Sequence, residues 1–120
     1  MEIVQIGNED FLLRRIPAFP NYIKPDGSIT SFAFSLRKGE DGISTDLERL
    51  ANRDVSVLDR TKFRLARVNA GLIRNDINDG LDCIHSPLPE NYAHSLITSQ
   101  SGKITDLKSR AMARNAAIVY

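Results

Sequence analysis

Two histidines, His85 and His94, lie within the stretch IHSPLPENYAHSLI (84 to 97), and two adjacent arginines, Arg14 and Arg15, lie in FLLRRIP near the start. Histidine suits proton transfer near neutral pH, since its ordinary pKa is ~6.5. The planar guanidinium fork suits a carboxylate or a phosphate. Together they describe a site that holds an anion and moves a proton. His94 is the stronger of the two histidine candidates, and Asn91 and Glu90 share its corner as candidate binding residues, with His85 behind them. The competing reading is plain scaffolding: Asn91 makes a turn, His94 hydrogen-bonds a carbonyl, and both arginines lie along a strand edge.

Other chemistries fail on spacing. Cys83 and His85 lie two apart, hence on one face of a strand, and His94 could approach from a neighbour, but the pattern matches no zinc signature. DINDG (76 to 80) opens like a calcium loop, yet its twelfth position would be Pro87 rather than a glutamate. SQSGK ends like a phosphate loop without the earlier glycine. Cys83 has no activating neighbour in sequence and reads as core. Neither a metal nor a cofactor is expected.

The elements that must position these residues follow from pattern. Phe11 to Ile16 is a short apolar run bounded by breakers and predicts a strand, on which Arg14 and Arg15 must point to opposite sides. KPDG (24 to 27) has the form of a type I turn. SITSFAFSL alternates, so a strand with Phe32, Phe34 and Leu36 facing the core is expected, with a short helical turn as the alternative. Thr45 and Glu48 form a capping-box pattern and predict a short helix from about Asp46 to Asn52. FRLARVN predicts a strand, followed by a helical turn that ends near Asn78 to Gly80. Leu81 to His85 and Ala93 to Thr98 read as strands joined by SPLPEN, where Pro87 and Pro89 hold Ser86 and Leu88 extended. Beyond Gly102, the spacing of Ile104, Leu107, Ala111, Met112 and Ala116 predicts a C-terminal helix with one apolar stripe. The fold class expected is α+β: a single domain over 1–120, mostly antiparallel sheet, with a short capped helix and a C-terminal helix.

Composition bounds the setting. At 120 residues, 42% hydrophobic and 26% charged, the chain can bury one core. A formal charge of +1, from 16 basic and 15 acidic residues, supplies no global attraction for nucleic acid or anionic lipid. Arg60, Lys62, Arg64 and Arg67, with Lys103, Lys108, Arg110 and Arg114, leave local basic patches as the only route to nucleic acid. No apolar run approaches the ~20 residues of a membrane span, and no secretory signal is read. A single cysteine fits a reducing, cytoplasmic setting.

The segments LLRRIPAF, DGSITSFAF, GISTD and SPLPENYAHSLI, followed by a basic, alanine-rich helix, resemble a group of small uncharacterised bacterial proteins. These share an Arg-Ile-Pro start, a Ser-rich Ala-Phe segment, a Gly-x-Ser-x-Asp step and a Pro-x-x-Pro-x-His-Ala corner before a basic helix. Here ENYAHS departs from the Asn-Pro-Ala-His-Ala form of that group. The resemblance implies no activity, but it points to Arg14 or Arg15, Ser31, Ser44, Asp46, Pro89 and His94. Ser31 joins the candidate binding residues on that ground alone. The leading expectation is a cytoplasmic bacterial binding or accessory protein, a component of a host–phage or toxin-type gene system, with another protein as partner. The alternative is a small enzyme acting on RNA or a nucleotide, with His94 as general acid or base and Arg14 or Arg15 holding phosphate. An enzyme should bring His94 and an arginine into one concave pocket; a binding module should show a broad apolar or charged patch.

Overall fold

The computed structural model describes residues 1–120. Six strands form one sheet: β1 (Phe11–Pro17), β2 (Ile43–Leu47), β3 (Phe63–Asn69), β4 (Leu81–His85), β5 (His94–Ser99) and β6 (Ala117–Ile118). Their order is β4-β5-β2-β1-β3-β6, with every adjacent pair antiparallel. With two α-helices, α1 (Arg53–Val57) and α2 (Asp106–Arg114), this is an α+β fold of mostly antiparallel sheet, as expected.

Period-2 alternation gives the sheet two different faces. Leu12 and Ile16 on β1, Ile43 and Leu47 on β2, Val68 on β3, and Ile97 on β5 share the larger core with Phe34, Ile73 and Met112. On the opposite face Leu13 and Leu65 pack under Val57 of α1. That second layer is small, with only Leu13, Val57 and Leu65 buried in it. No helix is long and apolar enough to cross a membrane.

Three local expectations give way to tertiary pairing. The segment Ile43–Leu47 is a strand and not the start of a helix, because β1 and β5 take its backbone hydrogen bonds on both sides. Thr45 does not cap: its hydroxyl donates to the Ser95 carbonyl at 3.3 Å, while Glu48 receives Arg67 at 2.8 and 3.0 Å. The helix begins at Arg53 instead, where Asn52 accepts from the amides of Asp54 and Val55 at 3.0 and 3.3 Å. That is an N-cap about two turns later than the pattern suggested. It ends at Leu58, whose φ of 68° puts a leucine in a tight turn closed by Asp59 N–H to Val57 C=O at 2.7 Å.

Ser31–Phe34 is a 3-10 turn rather than a strand, so Ala33 and Phe34 are buried together and Phe32 is 64% exposed. The C-terminal helix forms as expected, with Thr105 as its cap. Its buried face is Ser109, Met112 and Ala113, however, and Leu107 is 76% exposed. At about 100° per residue Leu107 falls on the side of α2 opposite Ser109, Met112 and Ala113, so it faces solvent. The KPDG turn closes as read, with Gly27 N–H donating to Lys24 C=O at 2.8 Å.

Candidate functional site

β2 and β5 pair with Asp46 opposite His94 and Ser44 opposite Leu96. Directly opposed residues share a face, so Ser44, Asp46 and His94 all project from the side away from the main core. Leu13 and Arg15 project from the same side of β1. The β1–β2 pairing covers only Leu12↔Leu47 and Leu13↔Asp46, after which the strands part. The parting opens a cleft of about 350 Å³, floored by Ser44, Thr45 and Asp46 and bounded by Arg14, Arg15, Ser56, Glu90, Asn91 and His94.

Arg14 belongs to the core-facing set of β1, yet it serves this cleft. Its Nε donates to the Ala33 carbonyl at 2.8 Å and its Nη1 to the Ser44 carbonyl at 2.9 Å. It thereby replaces the backbone ladder where β1 and β2 diverge, and Nη2 is left uncommitted. Burial pulls its pKa below the ordinary arginine value, with the Glu40 charge acting the other way. A guanidinium keeps its charge through such a shift. Arg15 points to the opposite side of the strand, is exposed, and reaches the Ser56 carbonyl at 3.3 Å. The alternation expected of the two arginines is present, and both line the same cleft.

The corner that carries the histidine is stiff for identifiable reasons. Leu88 and Asn91 exchange backbone hydrogen bonds, both at 3.0 Å, leaving Pro89 and Glu90 as the turn. Asn91 then fixes this hairpin to the sheet: its Nδ2 donates to Asp46 Oδ1 at 2.8 Å. The other oxygen of that buried carboxylate accepts from Ser56 Oγ at 2.5 Å. Asp46 therefore binds the corner, β2 and α1 into one unit.

His94 is half-buried, and its ring is oriented by the main chain. Nδ1 lies 2.7 Å from the Ser86 carbonyl, which can only accept, so Nδ1 carries the proton in the neutral ring. Nε2 is then a bare lone pair, 3.3 Å from Ser44 Oγ. The residue preceding Pro87 is the one whose carbonyl holds the ring, so the prolines of the corner serve the histidine directly.

His85 has the opposite tautomer and another place. Its Nδ1 accepts from the Val4 amide at 2.9 Å and its Nε2 donates to the Tyr92 carbonyl at 2.6 Å. The ring sits on the core side, buried, with both nitrogens satisfied by backbone. Ser31 lies in the 3-10 turn, where its carbonyl accepts from Ser35 Oγ at 3.0 Å, and it does not line the cleft. Of the sequence candidates, the fold thus brings together Arg14, Arg15, Glu90, Asn91 and His94 and leaves out His85 and Ser31. Cys83 is buried in the core, and burial pushes its thiol up to about 12.

Sequence reasoning reached Ser44 and Asp46 only through the resemblance, and it missed Thr45 and Ser56. The usable signal for the first two was ISTDL as a strand: Ser44 and Asp46 then fall on one parity. Nothing local marks Ser56, which enters the site only because α1 docks over Leu13. No protein-family profile, curated protein or solved structure matches this chain.

Proposed function

We propose that this protein is a small enzyme acting on a phosphate ester of the nucleotide or RNA-end class. In this reading His94 moves the proton, and Arg14 and Arg15 hold the phosphate. The observation that carries the proposal is the convergence, in one cleft, of a bare imidazole nitrogen and two guanidiniums. The carboxylate at the cleft floor, Asp46, has both oxygens engaged by Ser56 and Asn91. Neither arginine forms an ion pair with it or with any other carboxylate, although the Glu40 charge acts on Arg14 from a distance, so both guanidiniums can still take an anion. A guanidinium immobilised by two carbonyls loses little further entropy on binding, which favours a pre-organised oxyanion contact.

The test is a titration with inorganic phosphate and adenosine monophosphate, followed by backbone and arginine Nε–H chemical shifts, with a hydrolysis screen on nucleotides. Shifts centred on Ser44, Asn91 and His94, and turnover that disappears in His94→Gln with a small change in melting temperature, are expected. No shift at these residues at millimolar ligand sinks the reading.

A second reading keeps the accessory role in a bacterial cytoplasm, with a protein partner. It draws on a separate groove lined by Phe19, Pro20, Ile23, Pro25 and Ile118, in which Phe19 is 62% exposed. Under it, Phe19→Asp abolishes the phenotype and His94→Gln is silent.

A further inference from the structure

We propose that Ser44 is the nucleophile of this cleft, activated by His94, and that the reaction passes through a covalent seryl-phosphate. This rests on the reading of the cleft as a phosphate-ester site and deepens it.

Three independent features single out Ser44. Its side chain is exposed at the cleft floor, and the imidazole Nε2 of His94 is the hydrogen-bond partner of its hydroxyl. The proton on Nδ1, held by the Ser86 carbonyl, leaves Nε2 free to act as the base toward that hydroxyl. Nucleophile, base and a third orienting group is the arrangement that serine catalysis requires, here with a main-chain carbonyl in the third place. Finally, Arg14 is anchored to the carbonyl of Ser44 itself, so an anion-binding group and the nucleophile are fixed to one residue. The remaining cleft hydroxyls are already engaged: Thr45 donates to Ser95 and Ser56 donates to Asp46.

The step balances without any redox partner. Ser44 Oγ forms a bond to phosphorus while its proton passes to His94 Nε2. The bond from phosphorus to the leaving oxygen breaks, its electron pair goes to that oxygen, and the imidazolium returns the proton there. Water then attacks the seryl-phosphate, giving a proton to His94. The phosphorus–Oγ bond breaks, and Ser44 recovers that proton. The sum is one ester and one water converted to an alcohol and phosphate.

A fluorophosphonate probe tests the inference without a known substrate, because it needs only an activated serine and releases fluoride. Wild-type protein should take up one equivalent, mapped to Ser44 by peptide mass spectrometry. Ser44→Ala should take up none. His94→Gln should label slower by roughly a hundredfold or more, the usual worth of a general base. If His94→Gln does not fold, His94→Asn replaces it, since its amide can donate to the Ser86 carbonyl while offering no base at the Nε2 position. Absence of label in the wild type, label at another residue, or a rate unchanged by both His94 variants overturns the inference. Adenosine monophosphate binding is measured on the same samples. Binding without labelling defeats the nucleophile alone, whereas loss of both defeats the phosphate-ester reading as well.

Discussion

Ser44 and His94 meet on a diagonal of the β2–β5 ladder: Asp46, not Ser44, is the register partner of His94, yet Ser44 Oγ lies 3.3 Å from His94 Nε2. Diagonal neighbours on one sheet face are within reach of a long or aromatic side chain. The imidazole leans toward Ser44 because the Ser86 carbonyl holds its other nitrogen at 2.7 Å. The directly opposed position is filled by Asp46, whose carboxylate is turned to Asn91 and Ser56. The ladder thus separates two jobs that lie two residues apart on β2. Ser44 faces the cleft, and Asp46 holds its walls together.

That division predicts the behaviour of Asp46→Asn. The substitution places an amide where two donors already converge, leaving at least one of them without an acceptor. An unsatisfied buried polar group costs about 1–3 kcal/mol. Urea denaturation should register that loss, and amide hydrogen exchange should accelerate at the Leu88–Asn91 hairpin. Unchanged stability with an unchanged hairpin would mean that the Asp46 contacts contribute nothing.

The two arginines should separate on stability, while both contribute to binding. Arg14→Gln removes hydrogen bonds to Ala33 and Ser44, each of the charge-assisted kind worth about 1.5–3 kcal/mol, with the partly exposed one at the low end. Arg15→Gln, on the exposed side, should change stability by no more than ~0.5 kcal/mol. Both should weaken phosphate binding, Arg14→Gln the more. Calorimetric titration beside chemical melts checks this, and equal stabilities for the two variants would contradict the placement of Arg14.

Cys83 should be inert in the native protein. Burial pushes its thiol from an ordinary 9.0 to about 12, with Arg74 acting in the opposite sense. An acid whose folded pKa is raised stabilises the fold while it is protonated in both states. That contribution is complete below pH 9 and is lost as pH rises from about 9 toward about 12. Iodoacetamide at pH 8 should therefore modify Cys83 only in denaturant, and Cys83→Ser should keep any cleft function. Rapid native alkylation would show that the thiol is reachable.

On α2, Met112→Ala should cost about 2–5 kcal/mol, as for a fully buried methionine, and Leu107→Ala less than ~0.5 kcal/mol. Thermal melts of the two variants give the comparison directly. A cost for Leu107→Ala like that of Met112→Ala would place the helix in another rotation.

By itself the sequence determined the elements whose identity is local. FLLRRIP, FRLARVN and the LDCIH strand carry their own period and breakers, and the antiparallel α+β class follows from them. It also determined that Arg14 and Arg15 diverge, because adjacent residues on a strand must. The SPLPEN corner was legible for the same reason, since proline restricts its predecessor whatever surrounds it.

Only the tertiary structure decided the rest. ISTDL carries both a capping-box pattern and strand parity, and the choice between them depends on β1 and β5, which lie far along the chain. Ile104, Leu107 and Ala111 offer one apolar edge at helical spacing and Met112 with Ala116 another, and only the packing of α2 on the core decides that Met112 is buried and Leu107 exposed. His85 and His94 lie in one stretch of sequence and bracket one turn. Alternation sends one ring into the core and the other to the cleft, where Ser44 arrives from a strand 50 residues away. Such contacts are set by which strands pair and in what register, and that choice rests on summed burial over the whole sheet, which no local pattern contains.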